Sequence, residues 1–414
     1  AGRSLAKAAI LIEAGRLTLI KDDPTPASQL WHGAEPTRDD IAEAIGADQA
    51  MPLSELDALL QPLEAVATVP AMDAWSLAQQ QAGLGRSLPS IQAAQGIDLD
   101  LARAIAPIRL THDDAAIADI QAAAAITLQA HQAGMLISAQ APTEATIRAT
   151  MEAVIQGYDC TCAYNSIVTV HGEVLHNEVY HHAVQPGDLL LADVGAEAPS
   201  GWASDVTRTW PISGQFSSTQ RDIYDLVEAA HDVCIAAAQP GVEYRDLHLK
   251  ASEAIASGLV DLGILRGDPA DLVEQDAHAL FFPHGVGHLL GLDVHDMEDL
   301  GDIAGYAPGR ARSDRFGLGF LRLDRPLQAG MVVTIEPGFY QVPAILQDPT
   351  RRDRYRDRVN WERLADFADV RGIRIEDDVL ITPTGAEVIT AALPTAADAI
   401  EAIVQAGYRN RHGE

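Results

Sequence analysis

The chain has 414 residues, of which 47% are apolar and 21% charged, enough for a sizeable core in more than one domain. Its formal net charge of −30 excludes nucleic acid and anionic membrane as favoured partners, because both repel a polyanion. Three scattered cysteines, Cys160, Cys162 and Cys234, imply no disulfide framework, and without a long uncharged apolar run or a signal-peptide pattern the expected location is cytoplasmic.

Ala8 to Ile20 reads as a hairpin, with Ile10, Leu11 and Ile12 before a Glu13-Ala14-Gly15 turn and Leu17, Leu19 and Ile20 after it. Short strand and helix signals broken by Pro and Gly continue to about Ala106, so residues 1–106 are expected to form a small α/β N-terminal domain. Pro107 marks a change of character, and residues 107–414 are expected to form a larger domain. Asp113 to Gly134 is an Ala-rich helix with Ile117, Ile120, Ala124, Leu128, His131 and Met135 on one stripe. Thr143 to Gly157 is a second helix, with Ile147, Met151 and Val154 pointing inward. Strands are expected over Tyr158–Val170, around Val174, over Leu189–Val194 and over Ser204–Ile212. Helices follow over Ser218–Pro240 and Tyr244–Gly258, then strands over Met331–Ile335 and Ile373–Ile381. Helices packed on hairpin-joined strands give an α+β fold.

The larger domain contains an internal echo. Gln185 to Gly195 aligns without gaps on Gln328 to Gly338, each with a Gly near the start, an apolar strand, then a carboxylate, Asp193 or Glu336, and a second Gly. The match points to two similar halves meeting at one site.

The chemistry gathers at the same places. Phe281 to Asp296 holds three histidines, His284, His288 and His295, among Gly285, Gly287 and Gly291. One histidine on an apolar face is usually a core residue, whereas three in so small a space favour a metal or acid–base site. Asp193 and Glu336 each end an apolar strand, where an unpaired carboxylate is costly. Asp205 shares a strand face with Thr207 and Thr209, and Arg374 shares one with Glu376. Four carboxylates, Asp193, Asp205, Glu336 and Glu376, would be neutralised by two divalent cations, with one imidazole as nitrogen ligand. Such an oxygen-rich set suits Mn²⁺, with Co²⁺, Zn²⁺ or Fe²⁺ as alternatives. Two ions about 3.5–4 Å apart lower the pKa of a shared water, so the expected reaction is metal-assisted hydrolysis.

The order Asp193, Asp205, His288, Glu336, Glu376 resembles the ligand set of the pita-bread metallopeptidases, the family of methionine aminopeptidase, aminopeptidase P and prolidase. The stretches Ser204–Pro211, His284–Asp296, Thr334–Gly338 and Gly372–Asp378 resemble its proline-specific branch, and the likeness covers about Ile108 to Ala392. The resemblance implies a pita-bread catalytic domain behind a shortened N-terminal domain. It implies that Asp193 chelates one metal, His288 and Glu336 hold the other, and Asp205 and Glu376 bridge. It further implies that Glu336 takes the proton from water and that His176 and His295 contact the substrate. His284 would line the pocket and Arg374 would support a ligand carboxylate. His171, His181 and His182 match nothing in the family and are read as surface or packing residues. The segments Asp296–Gln328 and Asn360–Gly372 resemble prolidases, as does Leu321-Arg322-Leu323-Asp324-Arg325. By that likeness Arg322 would bind the free carboxylate of a dipeptide. The expected activity is therefore a Xaa-Pro dipeptidase, with Xaa-Pro aminopeptidase as the alternative. Xaa-Pro dipeptides or short proline peptides are the expected ligands, and a homodimer the expected assembly.

Overall fold

The computed structural model describes residues 7–412, and the chain divides into two compact units between Ile105 and Ala106. In the first, the strands Ala8–Glu13 and Arg16–Lys21 pair antiparallel from Ala8↔Lys21 to Glu13↔Arg16. Ala14 and Gly15 take φ of 48° and 79°, the double positive φ of a two-residue turn that matches strand twist. The strand Gln49–Met51 adds in parallel to Arg16–Lys21. The helix Arg38–Ile45, started by a Thr37–Asp40 capping box, covers this sheet with Ile41 and Ala42 against Leu19. The helix Gly96–Arg109 runs through Pro107. Proline is tolerated there because it falls in the final turn, where its missing N–H forfeits one bond.

The second unit begins with the helix Asp114–Ile137, capped by the Asp113 carboxylate on the Ala116 amide, and packs it on the helix Glu144–Gly157. Ile120, Ala124, Leu128, His131 and Met135 are buried as the stripe requires, while Ile117 in the first turn is half-buried. In Glu144–Gly157 the inward set is Ile147, Met151 and Ile155, while Val154 lies half-exposed one position off that face. A second helical pair, Ser218–Ala237 and Tyr244–Asp261, repeats the arrangement, the first member started by a Ser217–Gln220 capping box. Each pair precedes an antiparallel three-stranded sheet. One sheet orders Ile167–Thr169, Leu189–Asp193, Thr207–Pro211, and the other Gly385–Val388, Asp377–Thr382, Val332–Ile335. The repeat of helical pair and carboxylate-ending strand is the two-halves architecture expected from the sequence echo.

Three strand expectations change. The expected strand Ser204–Ile212 is confined to Thr207–Pro211, which leaves Asp205 just before it. The long strand before Val170 is reduced to Thr161–Cys162 and Ile167–Thr169, and Val174 lies exposed in a loop. The run Ile373–Ile381 is broken at Ile375 and Glu376. Gly372–Arg374 pairs with Gly338–Tyr340, whereas Asp377–Thr382 pairs with Val332–Ile335. The break occurs where the Glu376 amide donates to the Thr207 carbonyl at 3.0 Å, so this segment joins the two halves. Among the described residues, no helix is long and apolar enough to cross a membrane.

Candidate metal centre and substrate cleft

The histidine segment lies alongside the strand Val332–Ile335. Thr334 N donates to His288 O at 3.0 Å and Glu336 N to Val286 O at 2.8 Å, so His288 and Glu336 arrive at the same end. This close approach requires Gly287, because a Cβ there would run into the Thr334 carbonyl oxygen and the Tyr244 hydroxyl. His288 Nδ1 donates to the Leu289 carbonyl at 2.9 Å. That bond fixes the tautomer and leaves the Nε2 lone pair facing Asp205 Oδ2 at 3.4 Å and Glu336 Oε1 at 3.7 Å. Ligand atoms of Asp205, His288 and Glu376 all lie within 4.8 Å of one another, and all three residues are buried.

Three of the four carboxylates have a neighbour that orients them. Tyr164 donates its hydroxyl to Asp205 Oδ1 at 2.5 Å, and Thr207 donates to Glu376 Oε2 at 2.7 Å. Arg374 gives Nη2 to Asp193 Oδ2 at 2.5 Å, Nε to Thr207 at 3.0 Å and Nη1 to Tyr340 at 3.0 Å. The next two acids support the backbone. Asp377 pairs with Arg208, whose Nη1 donates to the Glu376 carbonyl at 2.7 Å, and Asp378 accepts from the Ser204 hydroxyl and the Asp205 amide.

The donor set calls for cations. Burial pushes the carboxyl groups of Asp205, Glu336 and Glu376 upward, and neighbouring carboxylates raise them further. Arg374 supplies one positive charge against the four carboxylates. Asp193 Oδ1 is buried without a hydrogen-bond partner. Two buried and two half-buried carboxylates, one orphaned oxygen and a tautomer-locked imidazole therefore fit divalent cations with hard oxygen ligands.

A cleft of about 580 Å³ opens over this centre, and all ten residues singled out from the sequence border it. His284 is held between the Gly285 carbonyl at 2.7 Å and the Tyr340 hydroxyl at 2.9 Å, and burial lowers its pKa to about 3. It is a neutral wall residue. His295 packs edge-on against His288, with ring centroids 4.4 Å apart, and its Nδ1 meets Glu298 at 3.0 Å. His176 stands at the exposed mouth. Arg322 reaches the cleft already ion-paired with Glu298, which makes it a poor match for the free clamp expected from the sequence. The His182 ring lies tilted against those of His171 and His181, and His182 is bonded to the buried Glu144 at 2.8 Å.

Sequence reasoning missed Tyr164, Tyr340, Thr207 as a partner of Glu376, and Glu298. A period-two reading from Glu336 through Gly338 would have put Tyr340 on the same face. Tyr164 and Glu298 sit outside regular strands, where no period marks them.

Residues 118–383, more than half of the chain, match the model of metallopeptidase family M24. The chain is 32% identical over 395 residues to a Fusarium vanettenii protein named "Probable Xaa-Pro aminopeptidase PEPP", covering 92% of this chain and 80% of that one. It is 30% identical over 419 residues to the Xaa-Pro aminopeptidase of Escherichia coli, covering 95% and 86%. The solved structure of Pseudomonas aeruginosa aminopeptidase PepP superposes with a TM-score of 0.79 at 28% identity, covering 98% of this chain and 87% of that one. These relatives carry aminopeptidase names, which shifts the balance from the expected dipeptidase to its alternative. Members of the family bind divalent metals, in keeping with the buried Asp205, His288 and Glu376 group. The chain belongs to metallopeptidase family M24 and is a proline-specific hydrolase of its aminopeptidase P-like, pita-bread branch.

Proposed function

We propose that this protein is a Xaa-Pro aminopeptidase that releases the first residue of peptides whose second residue is proline and which continue beyond it. The reading is carried by the tautomer-locked His288 beside the buried Asp205 and Glu376, with Asp193 and Glu336 bordering the same cleft, a set suited to two divalent ions, with Mn²⁺ the best match to its oxygen-rich donors. In this reading Asp193, Asp205, His288, Glu336 and Glu376 are the ligands. When bound, the metal pair supplies Lewis-acid activation of water and of the scissile carbonyl. Glu336 accepts the proton of the attacking water, a role suited to a carboxylate whose proton affinity burial has raised. His176 donates to the oxyanion developing on the scissile carbonyl, and His295, with Nδ1 held by Glu298, contacts the substrate. His284 keeps the wall in place through Tyr340, and Arg374 keeps Asp193 aimed.

Two observations favour the aminopeptidase over the dipeptidase. The relatives at about this level of identity are named Xaa-Pro aminopeptidases. The Arg322 guanidinium, which a dipeptidase would keep for the substrate carboxylate, is engaged by Glu298. The test is hydrolysis of Ala-Pro-Ala beside Ala-Pro by protein stripped with chelator and reloaded with Mn²⁺. Metal-dependent cleavage of Ala-Pro-Ala, with Ala-Pro the poorer substrate, is expected. Cleavage of Ala-Pro alone would return the protein to the dipeptidases.

A further inference from the structure

Three guanidinium groups reach the cleft, and each already has a carboxylate. Arg374 is buried and serves Asp193. Arg312 gives Nη2 to Asp302 at 2.7 Å and Nη1 to the Leu321 carbonyl at 3.2 Å. Arg322 gives Nη1 to Glu298, whose other oxygen meets His295 Nδ1 at 3.0 Å. Among the described residues, the cleft thus offers no arginine free of a protein acid.

The placement of the last pair matters most. The Arg322 and Glu298 side chains are 33% and 52% exposed, so the pair faces the cleft and not the core. A substrate ending at proline presents a carboxylate there, and Arg322 is its natural counterion. With Glu298 in place, that carboxylate must displace a like charge or lie beside it, and either costs affinity. A peptide that continues past proline has a neutral amide at this point and avoids the conflict. Beyond Arg322 it meets an apolar shelf, with Phe320 67% exposed and Val342 and Ile345 half-buried.

We propose that Glu298 sets the peptide-length preference of this cleft. By holding Arg322 in an ion pair it withholds the counterion that a free prolyl carboxylate needs, and so favours peptides extended beyond proline. The inference rests on the aminopeptidase reading above and names a residue responsible for it. Glu298 also fixes one nitrogen of His295, so loss of activity alone would not separate the two roles.

The discriminating substrates are Ala-Pro and Ala-prolinamide, which differ only in carboxylate against amide. The native enzyme should favour the amide. In Glu298→Gln, kcat/KM for Ala-Pro should rise relative to the amide by about tenfold, because Arg322 is released while the size of residue 298 is kept. Adding Arg322→Met should abolish that gain. A ratio unmoved by Glu298→Gln, or a gain that survives Arg322→Met, overturns the inference, while native cleavage of Ala-Pro-Ala tests the aminopeptidase reading by itself. Native preference for Ala-Pro over the amide would overturn both. If neither ligand is turned over, calorimetric dissociation constants for the two ligands on native and Glu298→Gln protein decide the inference by the same ratio, and Ala-Pro-Ala cleavage still decides the aminopeptidase reading.

Discussion

His131 shows how much of the site depends on a residue that touches no substrate. It is fully buried in the helix Asp114–Ile137, and its Nε2 lies 3.0 Å from the carbonyl of Val194, the residue after Asp193. Burial lowers its pKa to about 4, the Val194 bond opposes that shift, and the nearby Arg208 charge adds to it. The folded value lies below the unfolded value of about 6.5, so the unfolded chain takes up the proton first. The contribution to stability is therefore complete above about pH 6.5 and is lost as pH falls toward 4, amounting to roughly 3 kcal/mol at most. His131→Gln keeps a donor and cannot titrate, so its melting temperature should fall less steeply across that window than the native one. An unchanged slope would mean that His131 does not report on acid stability. At this scale the titratable ligands were readable because each stands out against an apolar or glycine-rich background. The hydroxyl partners were not, since a tyrosine or threonine beside a strand looks like ordinary packing.

Among the elements, the segment from Gly372 to Thr382 links the two halves. Its three consecutive acids do three jobs: Glu376 faces the centre, Asp377 binds Arg208, and Asp378 holds the Asp205 backbone. The Arg208–Asp377 pair is 0% and 2% exposed, and His231 Nε2 approaches the second oxygen of Asp377 at 3.0 Å. Removing one partner of such a pair leaves a buried charge unmatched. Arg208→Met should therefore cost about 3–5 kcal/mol in denaturant unfolding, and pairing it with Asp377→Asn should recover much of the loss. A loss below about 1 kcal/mol would mean that water reaches the pair. The strand pattern from Gly372 to Ile381 was legible, but its interruption was not. Alternation of side chains continues straight through Glu376, and only the partner strands, which lie far away in sequence, show that one run serves two sheets.

At the scale of the whole molecule, the candidate centre is the seam between two repeated halves. Asp193 and Asp205 come from the first, and His288, Glu336 and Glu376 from the second. The echo between Gln185–Gly195 and Gln328–Gly338 made that seam legible, because both copies end in a carboxylate. Peptide length preference was not legible. The arginine in Leu321–Arg325 could be read from sequence, whereas the acid that engages it lies 24 residues away and meets it only through the fold. A chain with a net charge of −30 that gathers four of its carboxylates at one seam would need cations there to offset their repulsion. The most direct measurement is metal content per chain after chelation and reloading with Mn²⁺, for native protein and Asp205→Asn. Two ions per chain in the native protein, with a clear fall and lost Ala-Pro-Ala hydrolysis in Asp205→Asn, is the predicted result. One ion or none in the native protein, or an Asp205→Asn variant that keeps both metal and turnover, would contradict the binuclear centre.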